Sequence, residues 1–477
     1  MKKNDLLIIL GAIAFGILFY KQSAGINFLI FSLIYSMLNY VFNKNELKKS
    51  WHYAFTLHLF TAWNIFYLNT NLAIIAWVFS LIYLNIKTIH SKNSFIVALF
   101  FALSSPFVRF GERIAKLFQA KENEQSKSKK LLYTGAILVS FLIILLFFFL
   151  YQGANPLFKN FTKNIDLSWI NFAFIMLCVS GWILLLGMLK PFTIARNISW
   201  DATKLVQKAI FKPIGPEIEV SNTLIFFKLI SLIVFISLNV MLLLLNSLDI
   251  QNIFIYNKLP DGITLSDFVH FSVNSSITSI VLAIIIIVLI QQLGIKNRML
   301  KILIYGWIFQ SIVMLFHTII RNSWYIKGYQ LTYSRIGVYL FIMIAIIGLI
   351  YTAYSISKEK NYWFLMNINI ETWIIVLVIS STFSWDRIIT NYNLSEKKID
   401  QIDIQYLNSL SENNLDLMVK FEKKHPDLFK YYSQKEQLYD RKKYFFKRMK
   451  KYNSWQSFSL GKQAILINFK VRRKMMP

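Results

Sequence analysis

Ionisable side chains inside apolar stretches are costly and rare, so the few in this chain are where chemistry is first sought. The most concentrated group runs from His317 to Arg335 and reads His317, Arg321, Asn322, Trp324, Tyr325, Tyr329, Thr332 and Arg335. His317 and Arg321 stand one helical turn apart and share a helix face. A guanidinium beside tyrosines binds a phosphate or carboxylate through paired N–H groups. The same residues equally build an interfacial aromatic belt closed by a positive helix end.

A second group comprises Asp267, His270 and Asn274, with Asp261, Ser275 and Ser276 nearby. Helical spacing puts Asp267, His270 and Asn274 on one face, where a carboxylate that orients an imidazole supports proton transfer or one corner of a metal site. Ser266 and Asp267 are also suited simply to starting a helix. Asn239, Asn246 and Asp249 make a third polar line, which interhelical hydrogen bonding explains without function. Glu371 opens the last long apolar run, and a transporter would bring it to a cavity with His317 and Arg335. Lys228 is placed to extend its charge to the interface.

No nucleotide-binding loop, nucleophile elbow, zinc-protease helix or cysteine–histidine metal pattern is present. Neither a metal nor another cofactor is therefore expected. The single Cys178 excludes an intrachain disulfide and a cysteine cluster, and it reads as a small buried hydrophobe.

The elements that position these residues follow from composition. In 477 residues, 56% are hydrophobic and 16% charged, with a mean hydropathy of +0.47. A water-soluble chain carries roughly a quarter charged residues, so the apolar excess calls for lipid. Runs near the roughly 20 residues that span a bilayer core are Leu6 to Tyr20, Gly25 to Phe42, Trp51 to Leu68, Leu72 to Ile86, Leu131 to Tyr151, Trp169 to Leu189, Thr223 to Leu245, Phe271 to Leu293, Leu300 to Ile320, Ile336 to Ile356 and Asn367 to Ser384. The first is read as a retained helix, not a cleaved signal, because no small-residue cleavage site precedes Lys21. The expected fold is all-α, a polytopic bundle of about eleven or twelve transmembrane helices over residues 1–385.

The net charge of +28 sits mostly between the apolar runs and in the tail, a pattern of topology and anionic-lipid contact; no nucleic-acid partner is expected. Loops around Lys48, Arg113, Lys204, Lys301 and Lys358 are rich in lysine and arginine, whereas the alternate loops are poor in them. The rich loops are expected in the cytoplasm. Phe95 to Val108 is short and holds Ser104-Ser105-Pro106, and leaving it uncrossed satisfies every loop. That gives about eleven crossings with the N-terminus inside and the tail outside. A twelve-crossing alternative with an external N-terminus also leaves the tail outside.

Residues 386–477 are basic and expected to be mostly helical. Leu410-Ser411 is placed to staple and cap a helix that His425-Pro426 ends. Arg441, Lys442, Lys443, Lys447, Arg448, Lys450 and Lys451 interleave with Tyr444, Phe445 and Phe446, which suits either anionic head groups or a solvated helix face. A protein partner for this region is a further expectation. Residues 194–211 carry apolar residues at helical spacing.

Several stretches carry a family resemblance. They are Gly25-Ile26-Asn27-Phe28-Leu29-Ile30-Phe31, Ala154-Asn155-Pro156-Leu157-Phe158, Leu265-Ser266-Asp267-Phe268-Val269-His270, and the tract from Arg321 through Tyr329, Leu331, Thr332 and Arg335. In the tail, Ile389 to Leu394, Asp403 to Leu410 and Trp455 to Ala464 belong with them. Together they resemble a family of polytopic bacterial membrane proteins known only as a domain of unknown function, number four-one-seven-three. The resemblance implies a membrane module of bacteria and supplies no activity. One departure is Tyr329-Gln330-Leu331-Thr332, where a glycine is expected directly before the leucine.

The reading this supports is an inner-membrane scaffold, sensor or transport component without enzymatic activity, its tail periplasmic. The alternatives are a transferase acting on a lipid-linked phosphate through Asp267, His270 and Arg321 or Arg335, and a secondary transporter. Against the transferase, the first external loop, Lys21 to Ala24, holds no carboxylate.

Overall fold

A long apolar segment in lipid satisfies its backbone amides only within itself, so it winds into a helix. The computed structural model describes residues 3–89, 95–118, 171–190, 217–256, 297–360, 362–396, 402–429 and 432–474, with scattered residues between 273 and 290. Among these residues the regular elements are all helical, and no strand occurs.

The bundle comprises α1 (Lys3–Phe19), α2 (Ile26–Asn43), α3 (Lys49–Leu68), α4 (Asn71–Ile89), α5 (Phe95–Phe118), α6 (Phe172–Leu189), α7 (Glu217–Ile250), α8 (Arg298–Tyr329), α9 (Tyr333–Ser357) and α10 (Tyr362–Ser380). Among the described residues five helices are long and apolar enough to cross a membrane, namely α2, α4, α7, α8 and α9, or six if α10 and the bent segment after it make one span. α1 and α6 are shorter apolar helices. Met241 and Ile233 on α7 are 66% and 63% exposed, an outward apolar face that needs lipid as its solvent. Of the expected runs, Leu131 to Tyr151 lies outside the described residues. The described residues between 273 and 290 are helical, and residues 194–211 also fall outside the description.

Ion pairs and hydrogen bonds sort the helix ends onto two faces. Asp5 at the start of α1 pairs with Arg113 of α5 and, at 2.9 Å, with Lys190 at the end of α6. At this same face Asn39 accepts from Trp51 Nε1 at 2.9 Å and Thr88 Oγ1 at 3.0 Å, joining the ends of α2 and α4 to the start of α3. At the opposite face Asn69 donates to the Ala24 carbonyl at 2.6 Å, and Tyr20 donates to Asn171 at 2.6 Å. α1 to α4 therefore alternate direction, as their short connections require.

α5 differs from its neighbours. It continues ten residues beyond Val108, to Phe118, with Pro106 inside it. Arg109 Nε donates to the Lys190 carbonyl at 2.7 Å, so the later part of α5 lies at the Asp5 face. Phe95 follows Ile89, also at that face, by a reach of at most about 20 Å. α5 packs on α6 where Gly187 meets Pro106; a Cβ at Gly187 would come within 2.2 Å of the Pro106 Cα.

After α10 the chain turns by 61° and enters α11 (Trp385–Glu396), α12 (Ile404–Ser409), α13 (Leu415–Lys424), α14 (Tyr432–Lys451) and α15 (Leu460–Lys474). These five helices form a cap with its own core, in which Ile389, Leu407, Leu415, Met418 and Phe445 are fully buried. Ser411 accepts from Asn413 N ahead of α13, and α13 ends at His425 before Pro426. Phe445 is core, whereas Tyr444 stays 63% exposed, so only part of the basic aromatic stretch is available to head groups.

Candidate functional site

α7 and α8 run in the same direction and face each other through polar groups. Asn239 Nδ2 donates to the Leu303 carbonyl at 2.9 Å, and its Oδ1 accepts from Gln310 Nε2 at 2.8 Å. Gly306 leaves room for that amide, since a Cβ there would meet Asn239 Oδ1 at 2.9 Å. Two turns further along, Asn246 Nδ2 donates to the Gln310 carbonyl at 3.0 Å. The seam ends where Asp249 pairs with Arg321 and lies 3.5 Å from His317 Nδ1. These three side chains are 13%, 6% and 6% exposed. Directly after Asp249 the helix widens into a π-helical turn, Gln251–Tyr256, an irregularity frequent at functional sites.

Among the described residues, Asn246 Oδ1, Gln310 Oε1, Asp249 Oδ2 and His317 Nδ1 are buried without a hydrogen bond. Each such atom costs about 1–3 kcal/mol when left dry. The expected pairing of His317 and Arg321 on one helix face is present. Asp249, expected as a plain interhelical polar residue, is the carboxylate that both of them meet.

The remaining residues of the tract build the turn from α8 to α9. Arg335 lies over the Tyr325 ring, 3.9 Å from its centroid, and donates to the Tyr329 and Gln330 carbonyls. Tyr325 and Tyr329 rings are 5.3 Å apart, and Thr332 is the first non-helical residue before α9. Arg321 and Arg335 are thus committed to different partners and do not converge as a phosphate clamp. Gln330, at the position where a glycine was expected, adopts φ 83 and ψ 165. That region is favourable only for glycine and costs other residues about 1–3 kcal/mol. Gln330→Gly is expected to raise the thermal stability of the purified protein by about 1 kcal/mol after the lost side-chain contacts are set against the relieved strain. A lowered melting temperature would show that the side chain outweighs the strain.

Glu371 does not meet His317 or Arg335, as a transporter site of those three would require. It pairs with Lys87 of α4, whose ammonium also lies 5.1 Å from the Tyr83 ring centroid. Asp267, His270 and Asn274 lie outside the described residues.

The cap is tied to the face opposite Asp5. Ile26 N donates to the Phe458 carbonyl at 2.8 Å, Ser23 N to Ser457 Oγ at 2.9 Å, and Lys462 Nζ to the Ala24 carbonyl at 3.1 Å. Asn393 of α11 clamps the α8–α9 turn, accepting from Leu331 N at 2.7 Å and donating to Leu331 O at 2.9 Å. Asp386 accepts from Tyr333 Oη at 2.8 Å and from Ser411. Inside the cap, Arg387 grips Asp416 through two bonds of 2.7 and 3.2 Å. Burial pushes Lys462 down to about 8, with Arg448 adding to the effect and Glu412 opposing it. Burial likewise raises Glu412, against the pull of Arg448, Lys462 and Arg441. An open groove of about 520 Å³ on the cap is lined by Glu412, Glu436, Gln437, Asp440, Arg441 and Tyr444.

The motif stretches therefore meet in space. Gly25 to Phe31 receives Trp455 to Ala464, and the Tyr329–Arg335 turn receives Ile389 to Leu394. Sequence reasoning picked out Asn239, Asn246 and Asp249 as one interhelical polar line by their spacing, and missed their partner Gln310 and the clamp Asn393. Residues 30–421 match the family model described as a domain of unknown function, DUF4153. Its number differs from the four-one-seven-three of the motif resemblance. No curated protein and no solved structure matches the chain.

Proposed function

Since the chain belongs to the DUF4153 family, a domain of unknown function, and folds as several apolar helices, we propose that it is a bacterial inner-membrane scaffold or sensor that holds a helical cap on its periplasmic face. The observation that carries this is the cap's attachment. Its α14–α15 connection bonds to the backbone of the α1–α2 turn, and its first helix clamps the α8–α9 turn through Asn393. A tail that merely trailed from the last span would need neither.

Orientation rests on charge. The Asp5 face collects Lys190, Arg109, Arg113, Lys301 and the end of α9 at Lys358, the side that basic residues favour as cytoplasmic. The exposed Lys443, Lys447 and Lys450 beside Tyr444 and Phe446 suit anionic head groups next to the cap. The transferase reading is weakened because Arg321 is neutralised by Asp249 and Arg335 is spent on backbone carbonyls.

A phosphatase reporter fused after Lys474 is expected to be active and one inserted at Lys48 inactive; the reverse pattern overturns the orientation. The purified protein is expected to leave a lipid-linked phosphate donor unchanged. Turnover that His270→Ala abolishes would replace the scaffold with a transferase.

A further inference from the structure

The contacts between α7 and α8 form one polar strip along the helix axes. From Leu303, where Asn239 bonds, to Arg321 it covers about 27 Å of helix, close to the roughly 30 Å thickness of a hydrocarbon core. Helix packing in lipid needs no such strip, because small residues and dispersion suffice, as Gly16, Gly181 and Gly187 show between α1, α5 and α6. Along it, four buried polar atoms on Asn246, Asp249, Gln310 and His317 lack a hydrogen bond among the described residues. Buried polar atoms in native proteins are satisfied by protein or by water, and a site with several of them converging is polar enough to hold water.

We propose that the α7–α8 seam is a water-lined path that carries protons across the bundle, with Asp249 and His317 as its proton-exchanging pair. This goes beyond the scaffold reading, which requires only the cap and would survive the loss of the path. The amides of Asn239, Asn246 and Gln310 orient water, while the carboxylate and imidazole accept and release the proton. The 3.5 Å between Asp249 Oδ2 and His317 Nδ1 is too long for a good direct hydrogen bond, so each can exchange with water instead of being locked to the other. Arg321 pairs with Asp249, and its positive charge opposes a metal cation there.

Among the described residues, the charged and titratable groups facing Asp249 are His317 and Arg321 of α8. Ile280, Ala283, Ile287 and Ile290, among the described residues of 280–290, are apolar and belong to the same core as Phe235 and Leu242 of α7. From α9, Tyr339 faces Ser323 of α8 at 2.8 Å. The proton passes between hydrogen-bonded oxygens and nitrogens, each group returning to its starting charge, so nothing is oxidised or reduced and no co-reactant enters.

The test uses the full chain in Cys178→Ser form. Cysteines placed at Asn246 and Gln310 are expected to react with a membrane-impermeant thiosulfonate about tenfold faster than one at the lipid-facing Met241, because the thiolate forms only where water reaches it. In vesicles under a potassium–valinomycin potential, a trapped pH dye is expected to report proton flux that Asp249→Asn lowers about a hundredfold and Asp249→Glu preserves. Asp249→Asn could leave Arg321 unpaired and damage the fold. The double variant Asp249→Asn with Arg321→Gln removes both charges and is expected to lose flux while eluting from size exclusion like the parent. Equal labelling at all three cysteines, flux no higher than in empty vesicles, or flux unchanged by Asp249→Asn would overturn the proposal.

Discussion

Gly25→Ala is expected to release the cap from the bundle. At φ −178 the backbone of Gly25 is extended and any residue adopts it, so the constraint is space alone. A Cβ there would meet the Phe458 carbonyl oxygen at 2.5 Å and the Ser457 carbonyl carbon at 2.6 Å. Both are backbone atoms, which cannot swing aside as the end of a side chain would. Gly461 makes the matching approach from the cap, where a Cβ would lie 2.7 Å from the Leu68 carbonyl oxygen. Separation would break the bonds from Ile26 N, Ser23 N and Lys462 Nζ. At about 1 kcal/mol each these contribute about 3 kcal/mol, more than a hundredfold in the docked fraction. The measurement is oxidative cross-linking of Ser23→Cys to Ser457→Cys in a Cys178→Ser background. Efficient cross-linking in the parent should fall sharply with Gly25→Ala, and further when Gly461→Ala is added. Unchanged yield would mean that the turn yields at little cost and that the cap is held elsewhere, at Asn393.

The second large effect belongs inside the cap. Arg441 projects from α14 and its Nη2 donates to the Leu410 carbonyl at 2.9 Å, the Ser411 carbonyl at 2.8 Å and Asn414 Oδ1 at 2.9 Å. One guanidinium thus holds the α12–α13 connection, which no helix satisfies. Arg441→Met keeps an apolar stem of similar reach and removes the donors. Leaving acceptors unpaired costs about 1–3 kcal/mol for each that water does not reach, partly offset by the relief of a buried charge. The net expectation is about 3 kcal/mol of lost stability in the cap. Denaturant melts that follow the cap through its Trp455 fluorescence should show the midpoint fall, while exposed Lys443→Met stays within about 0.5 kcal/mol of the parent. Equal midpoints would place the strength of the connection in the apolar core around Leu415 and Phe445 instead.

Much of this was legible in the residues. Apolar runs such as Leu300 to Ile320 announce helices because the bilayer leaves the backbone no other partner, and the helix found, Arg298–Tyr329, contains that run. His425-Pro426 marked the end of α13, and Ser411 caps the short turn Glu412–Asn414 that leads into it, because capping and proline chemistry act over a few neighbouring residues. The glycine before Leu331 that the family resemblance implied matches a position that takes a glycine backbone conformation even with Gln330 in it. Local rules of hydropathy, capping and backbone sterics reach only a turn or two along the chain.

What they did not reach is which face meets which. Asp249 and Arg321 are far apart in sequence, and nothing near either residue says that α7 and α8 lie side by side in parallel. The transporter alternative would bring Glu371 to His317 and Arg335, but α10 packs on α4 and delivers it to Lys87. Phe445 and Tyr444 are neighbours in one basic stretch, yet the fold buries the first and exposes the second. The sequence by itself determined that this chain is a helical membrane protein with a basic, helical end. Only the tertiary structure decided that its polar residues line one seam and that its tail is a docked cap, because side-chain partners are chosen by the packing of distant helices and not by spacing within one of them.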